Sequence, residues 1–161
     1  RVLTRTVKKK ASEINVAELC EPPMTDQDWR DYEEGWRLFN TREFWYAHEA
    51  WETLWKRRHE ESRIFFQALI QLAAAYHLLL VKKRYGGTMR NFEKAEEKLK
   101  LFPNRFLRVD VGELLNRIAA AREEVSRVGE AALHEFDLNC LPTISLTTEV
   151  RFKLPSGVTF R

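Results

Sequence analysis

Residues 64–81 form a run of eighteen positions without a formal charge, and no other feature constrains the fold as tightly. A helix that is apolar on every side must be covered, either by lipid or by other helices. Eighteen residues lie at the lower limit for a membrane span. Gln67, Gln71 and His77 interrupt the run, and amides are costly in hydrocarbon. The neighbouring segments carry apolar stripes that need a buried partner. The run therefore reads as the central helix of a bundle, and no membrane partner is expected.

Start and stop signals on either side support this reading. Thr25 is an N-cap with Asp28 three positions later, and Met24 and Trp29 stand where a hydrophobic staple places them. Trp29, Tyr32, Trp36 and Phe39 follow at helical spacing, which predicts a first helix over about 26–39. Asn40 with Glu43 repeats the signal, with Phe39 and Phe44 as the staple, for a second helix over about 41–58. Ser62 opens a third over about 63–84, and Gly86-Gly87 ends it. Thr88 caps a fourth, which turns Met89, Phe92, Ala95 and Leu99 inward and stops before Pro103. Asp110 and Glu113 open a fifth, stapled by Val109 and Leu114, with Leu115, Ile118 and Val125 inward and Gly129 at its end. The expected fold is all-α, an antiparallel bundle of about five helices spanning 24–129.

The ends differ from the bundle. Residues 1–23 lack a sustained period and read as a basic N-terminal arm, mobile or loosely docked. Residues 130–161 read as a C-terminal extension. Within it, 144–154 alternate apolar and polar side chains, and Pro155-Ser156-Gly157 precedes a short return, a hairpin pattern. A lone hairpin is marginal in water, so it must lie on the bundle or pair with another chain. A homo-oligomer is thus one candidate partnership.

The net charge of +3 is local. Arg1, Arg5, Lys8, Lys9 and Lys10 all precede the first acid, Glu13, and setting them aside leaves 22 basic against 24 acidic residues. The body is not a basic nucleic-acid surface, and the basic runs at 56–58 and 82–84 read as solvated helix ends. Cys20 and Cys140 stand apart with no Cys-x-x-Cys pair, which gives no support to a thiolate metal site. With no secretory leader pattern, the cytoplasm is the expected compartment.

Chemistry concentrates between Phe39 and Lys56. His48 and Glu52 lie four apart, on one helix face, among Phe44, Trp45, Trp51 and Trp55. Trp51 and Trp55, with Phe44, read as the core face, while Trp45 falls to the side, at a pocket mouth. Gln67 and Gln71 are also four apart, and buried amides need partners, so they are expected to face His48 and Glu52 across the second and third helices. Three readings stay open. The cluster is structural and fixes helix register; or His48 and Glu52 ligate zinc or iron, with His77 the candidate third ligand; or Glu52 orients His48 for metal-free acid–base work. The segment His48-Glu49-Ala50-Trp51-Glu52 resembles the zinc-protease His-Glu-x-x-His with its last histidine replaced. His59 reads as solvated at a helix end, and His134 carries no role.

The run FNTREFWYAHEAWETLW, the helix FFQALIQLAAAYHLL and Gly86-Gly87 together resemble domain-of-unknown-function family number 309. Its His-x-x-x-Glu-x-x-Trp motif falls on His48, Glu52 and Trp55. The resemblance covers roughly 28–101 and implies a small helical fold with a suspected active or metal-binding site, but no substrate. The functional expectation is a metal-assisted or acid–base hydrolase of a small molecule, with catalytic His48 and Glu52 and binding residues Trp45, Trp55, Gln67 and Gln71. The alternative is a non-catalytic helical interaction module whose polar cluster is structural, and a nucleic-acid accessory role ranks third.

Overall fold

The computed structural model describes residues 9–148. Its elements are α1 (Asp26–Asn40), α2 (Phe44–Arg57), α3 (Ile64–His77), α4 (Tyr85–Leu99), the strands β1 (Arg105–Phe106) and β2 (Val109–Asp110), and α5 (Val111–Val128). Consecutive helices from α1 to α4 pack side by side across short connections, and α5 lies against α4. The result is an all-α antiparallel bundle with one small hairpin, in which Phe106 pairs with Val109.

The segment Glu61–Lys82 has the length and hydropathy of a membrane span, yet 67% of its apolar window is buried inside the bundle. Helices α2 and α4 flank it and supply the cover it requires.

Local side-chain caps set two of the helix starts, those of α1 and α5. Thr25 Oγ1 accepts from the Asp28 amide at 3.0 Å, and Asp28 Oδ2 accepts from the Thr25 amide at 3.1 Å. Asp110 Oδ1 accepts from the Glu113 amide at 2.9 Å and opens α5. The Phe39 and Phe44 rings meet edge-on at 5.1 Å.

Three local expectations are corrected. Asn40 does not cap α2; it closes α1, and Glu43 stands at the α2 cap. Its amide instead grips the C-terminal segment, donating to Ile144 O at 2.8 Å and accepting from Ile144 N at 2.9 Å. Nor does Gly86-Gly87 end α3. That helix widens into a π-helical turn over Leu78–Lys82 and stops at Lys83, whose backbone is left-handed (φ 52°). The glycines lie in the first turn of α4, where a Cβ on Gly87 would meet Leu78 Cδ1 at 3.0 Å. Gly87 thus permits the close approach of α4 to the end of α3. Thr88, inside α4, donates to Arg84 O at 2.7 Å rather than capping.

The run at 56–58 is not simply solvated. Arg57 pairs with Asp28 at 2.9 Å and Asp31 at 2.6 Å, and Arg58 pairs with Asp28 at 2.7 Å. Asp28 is buried. Burial pushes its carboxyl pKa up, but hydrogen bonds from Arg57 and Thr25 and the Arg58 charge outweigh that and hold it below the usual value.

The core is aromatic. Trp36 and Trp51 meet edge-on at 4.9 Å, and Phe44 stacks on Tyr76 at 5.0 Å, joining the start of α2 to the end of α3. Tyr32 is fully buried and donates to Leu107 O at 2.8 Å. That carbonyl belongs to the β1–β2 turn, whose central residues Leu107 and Arg108 both have positive φ.

Both ends lie on the bundle where they are described. Ile14 and Leu19 pack against the core, and Glu21 accepts from the Leu107 amide at 3.1 Å. At the other end Ile144 is buried, and the Thr147 amide donates to Arg108 O at 2.8 Å. Residues 144–148 form no strand. The rest of the expected hairpin, 149–161, lies outside the described residues.

Candidate functional site

Phe44, Ala47, Trp51, Leu54 and Trp55 turn the apolar stripe of α2 into the core. That leaves Trp45, His48 and Glu52 on an adjoining, accessible face. His48 Nδ1 and Glu52 Oε2 are 3.6 Å apart, with side-chain exposures of 18% and 33%. Glu52 also faces Lys56, whose Nζ lies 3.5 Å from Oε1. The expected pair is thus assembled, as an electrostatic contact within one helix.

Trp45 organises the surroundings. Its ring lies parallel to the His48 imidazole at 4.8 Å, and His77, at the end of α3, touches the same indole at 5.2 Å. Burial first, and the Lys82 charge second, lower the His77 pKa below its ordinary value. Despite two ring contacts Trp45 stays 46% exposed, and Tyr46 beside it is 59% exposed. Tyr46 escaped the sequence reading. The signal was present, because positions 45 and 46 both fall off the 44-47-51-54-55 stripe.

Other expected site residues lie elsewhere. Trp55 is 4% exposed and belongs to the core, with the Arg63 guanidinium 4.6 Å from its ring centre. Gln71 accepts from Lys98 Nζ of α4 at 2.8 Å, so its amide turns to α4 and not to the His48–Glu52 pair. Gln67 and Gln71 line a cavity of about 780 Å³, walled also by α4 and by the arm. Neither His48 nor Glu52 lines that cavity.

The metal expectation does not fit these residues. The 3.6 Å between His48 Nδ1 and Glu52 Oε2 suits two donors around one ion, but zinc sites require three or more protein ligands. Among the described residues, no group of three or more His, Cys, Asp or Glu side chains could hold a metal ion. His77 does not complete the set. The Trp45 indole packs against both imidazoles.

Fold and site define a helical-bundle domain in which a half-exposed indole packs against two imidazoles. Residues 32–91 match the family model of the domain of unknown function DUF309. The matched stretch holds His48, Glu52, Trp45 and His77. No curated protein matches the chain.

Proposed function

We propose that this domain is a protein-interaction module whose contact face centres on Trp45, backed by His48 and His77, with the exposed Tyr46 at its edge. One observation carries the reading: Trp45 is held by two imidazoles and is still 46% exposed. An indole fixed in advance loses little conformational freedom on binding, and tryptophan and tyrosine dominate interface hot spots. Val81, one turn beyond His77 and 64% exposed, extends the apolar area. The partner expected is a protein that presents an apolar side chain to this face.

A second reading keeps His48 as a metal-free general base oriented by Glu52, favoured by their 3.6 Å approach. The pair opens onto the exposed aromatic face and not into the large cavity, which favours recognition over enclosed catalysis.

The test places a benzophenone amino acid at position 46 and crosslinks in the native cell. The expected result is one dominant adduct, with a protein that binds the purified chain and fails to bind its Trp45→Ala variant. Adducts whose proteins bind wild type and variant alike would refute the interaction face.

A further inference from the structure

The β1–β2 connection is a two-residue turn whose sequence does not suit its geometry. Leu107 and Arg108 have φ of 44° and 63°, the left-handed pair that a type I′ turn requires and that Asn-Gly ordinarily supplies. A leucine or arginine there is held against its steric preference, and persists only where its surroundings fix it. Leu107 is anchored from within, since its side chain is buried in the core.

The other grips on this turn come from three distant parts of the chain. From α1, Tyr32 donates to Leu107 O at 2.8 Å, and the Arg108 guanidinium lies over Trp29, 4.2 Å from its ring centre. From the N-terminal arm, Glu21 Oε1 accepts from the Leu107 amide at 3.1 Å. From the C-terminal segment, the Thr147 amide donates to Arg108 O at 2.8 Å, and its hydroxyl donates to the same oxygen at 3.3 Å. The arm and the C-terminal segment thus hold adjacent residues of one strained turn. Upstream in the arm, residues 9–12 wall the cavity where Gln67 and Gln71 lie, and Lys9 pairs with Glu61 at 3.0 Å.

We infer that the Leu107-Arg108 turn is a latch that couples the two terminal segments. When the C-terminal segment lifts from Arg108, the turn relaxes, Glu21 loses the Leu107 amide, and the arm loosens from the bundle. The strained turn is the two-state element that such coupling needs, because both segments bond only its left-handed form. Coupling through a shared equilibrium is reciprocal, so loosening the arm also frees the C-terminal segment. Release of the arm opens the α3–α4 wall that holds Gln67 and Gln71. The latch uses no residue of the Trp45 face and does not depend on it.

The test follows amide hydrogen exchange and cleavage by a glutamate-specific protease in the full chain. Thr147→Pro removes the amide that donates to Arg108 O. It should speed exchange at the Leu107 amide, and cleavage within the arm at Glu13 and Glu18, by about tenfold, within the usual range of coupling between sites. In the reverse direction, Glu21→Ala should speed exchange at the Thr147 amide to a similar extent. Arg108→Gly separates strain from simple packing, because glycine adopts the positive φ without cost. In an Arg108→Gly chain, Thr147→Pro should move Leu107 exchange and arm cleavage far less. Three results would overturn the inference: Leu107 exchange and arm cleavage unmoved by Thr147→Pro, Thr147 exchange unmoved by Glu21→Ala, or the full effect of Thr147→Pro persisting beside Arg108→Gly.

Discussion

Trp51 occupies the space that a side chain on Gly35 would need: a Cβ built at Gly35 would collide with the Trp51 indole. The glycine lets α2 lie close enough for Trp51 Nε1 to donate to Tyr32 O at 3.2 Å. Alanine is the better helix former by about 1 kcal/mol, yet Gly35→Ala should destabilise. Trp51 is fully buried and cannot retreat, and overpacking a core costs about 1–3 kcal/mol or more. Denaturant unfolding should show the loss, and combining it with Trp51→Phe should recover part of it. A more stable Gly35→Ala protein would contradict the close packing of α1 on α2.

Asp28 joins the start of α1 to the end of α2 through Arg57 and Arg58. Its pKa is lowered in the folded protein, so its contribution is present above the unfolded carboxyl value. It is lost as the pH falls through the folded one. Asp28→Asn leaves two guanidinium groups without their shared carboxylate and should cost on the order of 3 kcal/mol near neutrality. The deficit should shrink on acidification, as the wild-type carboxyl takes up its proton. Unfolding curves at neutral and acid pH check both the size and the trend.

His77 should respond to pH in the opposite sense to a stabilised cation. Burial and Lys82 lower its pKa, so the unfolded chain takes up the proton first on acidification. Stability should therefore decline as the pH falls from the ordinary histidine range to the folded pKa, and level off below it. Against wild type, His77→Gln should flatten this part of the profile; His48, across Trp45, is common to both chains. An NMR titration that puts His77 at or above its ordinary value would contradict the assignment.

Asn40 holds the C-terminal segment by two hydrogen bonds to the Ile144 backbone. Asn40→Ala leaves both backbone groups without that partner and should cost about 1–3 kcal/mol. Faster hydrogen exchange at the Ile144 amide should accompany the loss. Unchanged exchange there would mean that Asn40 does not hold the segment.

These residues also show what was legible in the sequence. The Thr25–Asp28 and Asp110–Glu113 caps were readable because each is closed within three residues. The 44-47-51-54-55 stripe was readable because a helix repeats it. Asn40 was misread because its partner lies 104 positions away, and a cap and a long-range clamp use the same residue type. Gly86-Gly87 has the pattern of a helix stop, but Gly87 serves a close approach to Leu78, which only tertiary packing defines. The pairing of His48 with Glu52 followed from spacing. The direction of Gln71 did not, because a helix apolar on nearly all sides has no period to tell which neighbour its amides face.

The interaction face is tested most directly by measuring stability and partner affinity together in a Trp45→Ala/Tyr46→Ala chain. Both side chains are largely exposed, so Tm should change by no more than a few degrees, about the shift from 1 kcal/mol in a domain of this size. Affinity for the partner captured from position 46 should fall at least about thirtyfold, since hot-spot side chains contribute about 2 kcal/mol or more. A large drop in Tm with affinity unchanged would show that Trp45 and Tyr46 serve the fold, and would contradict the recognition role.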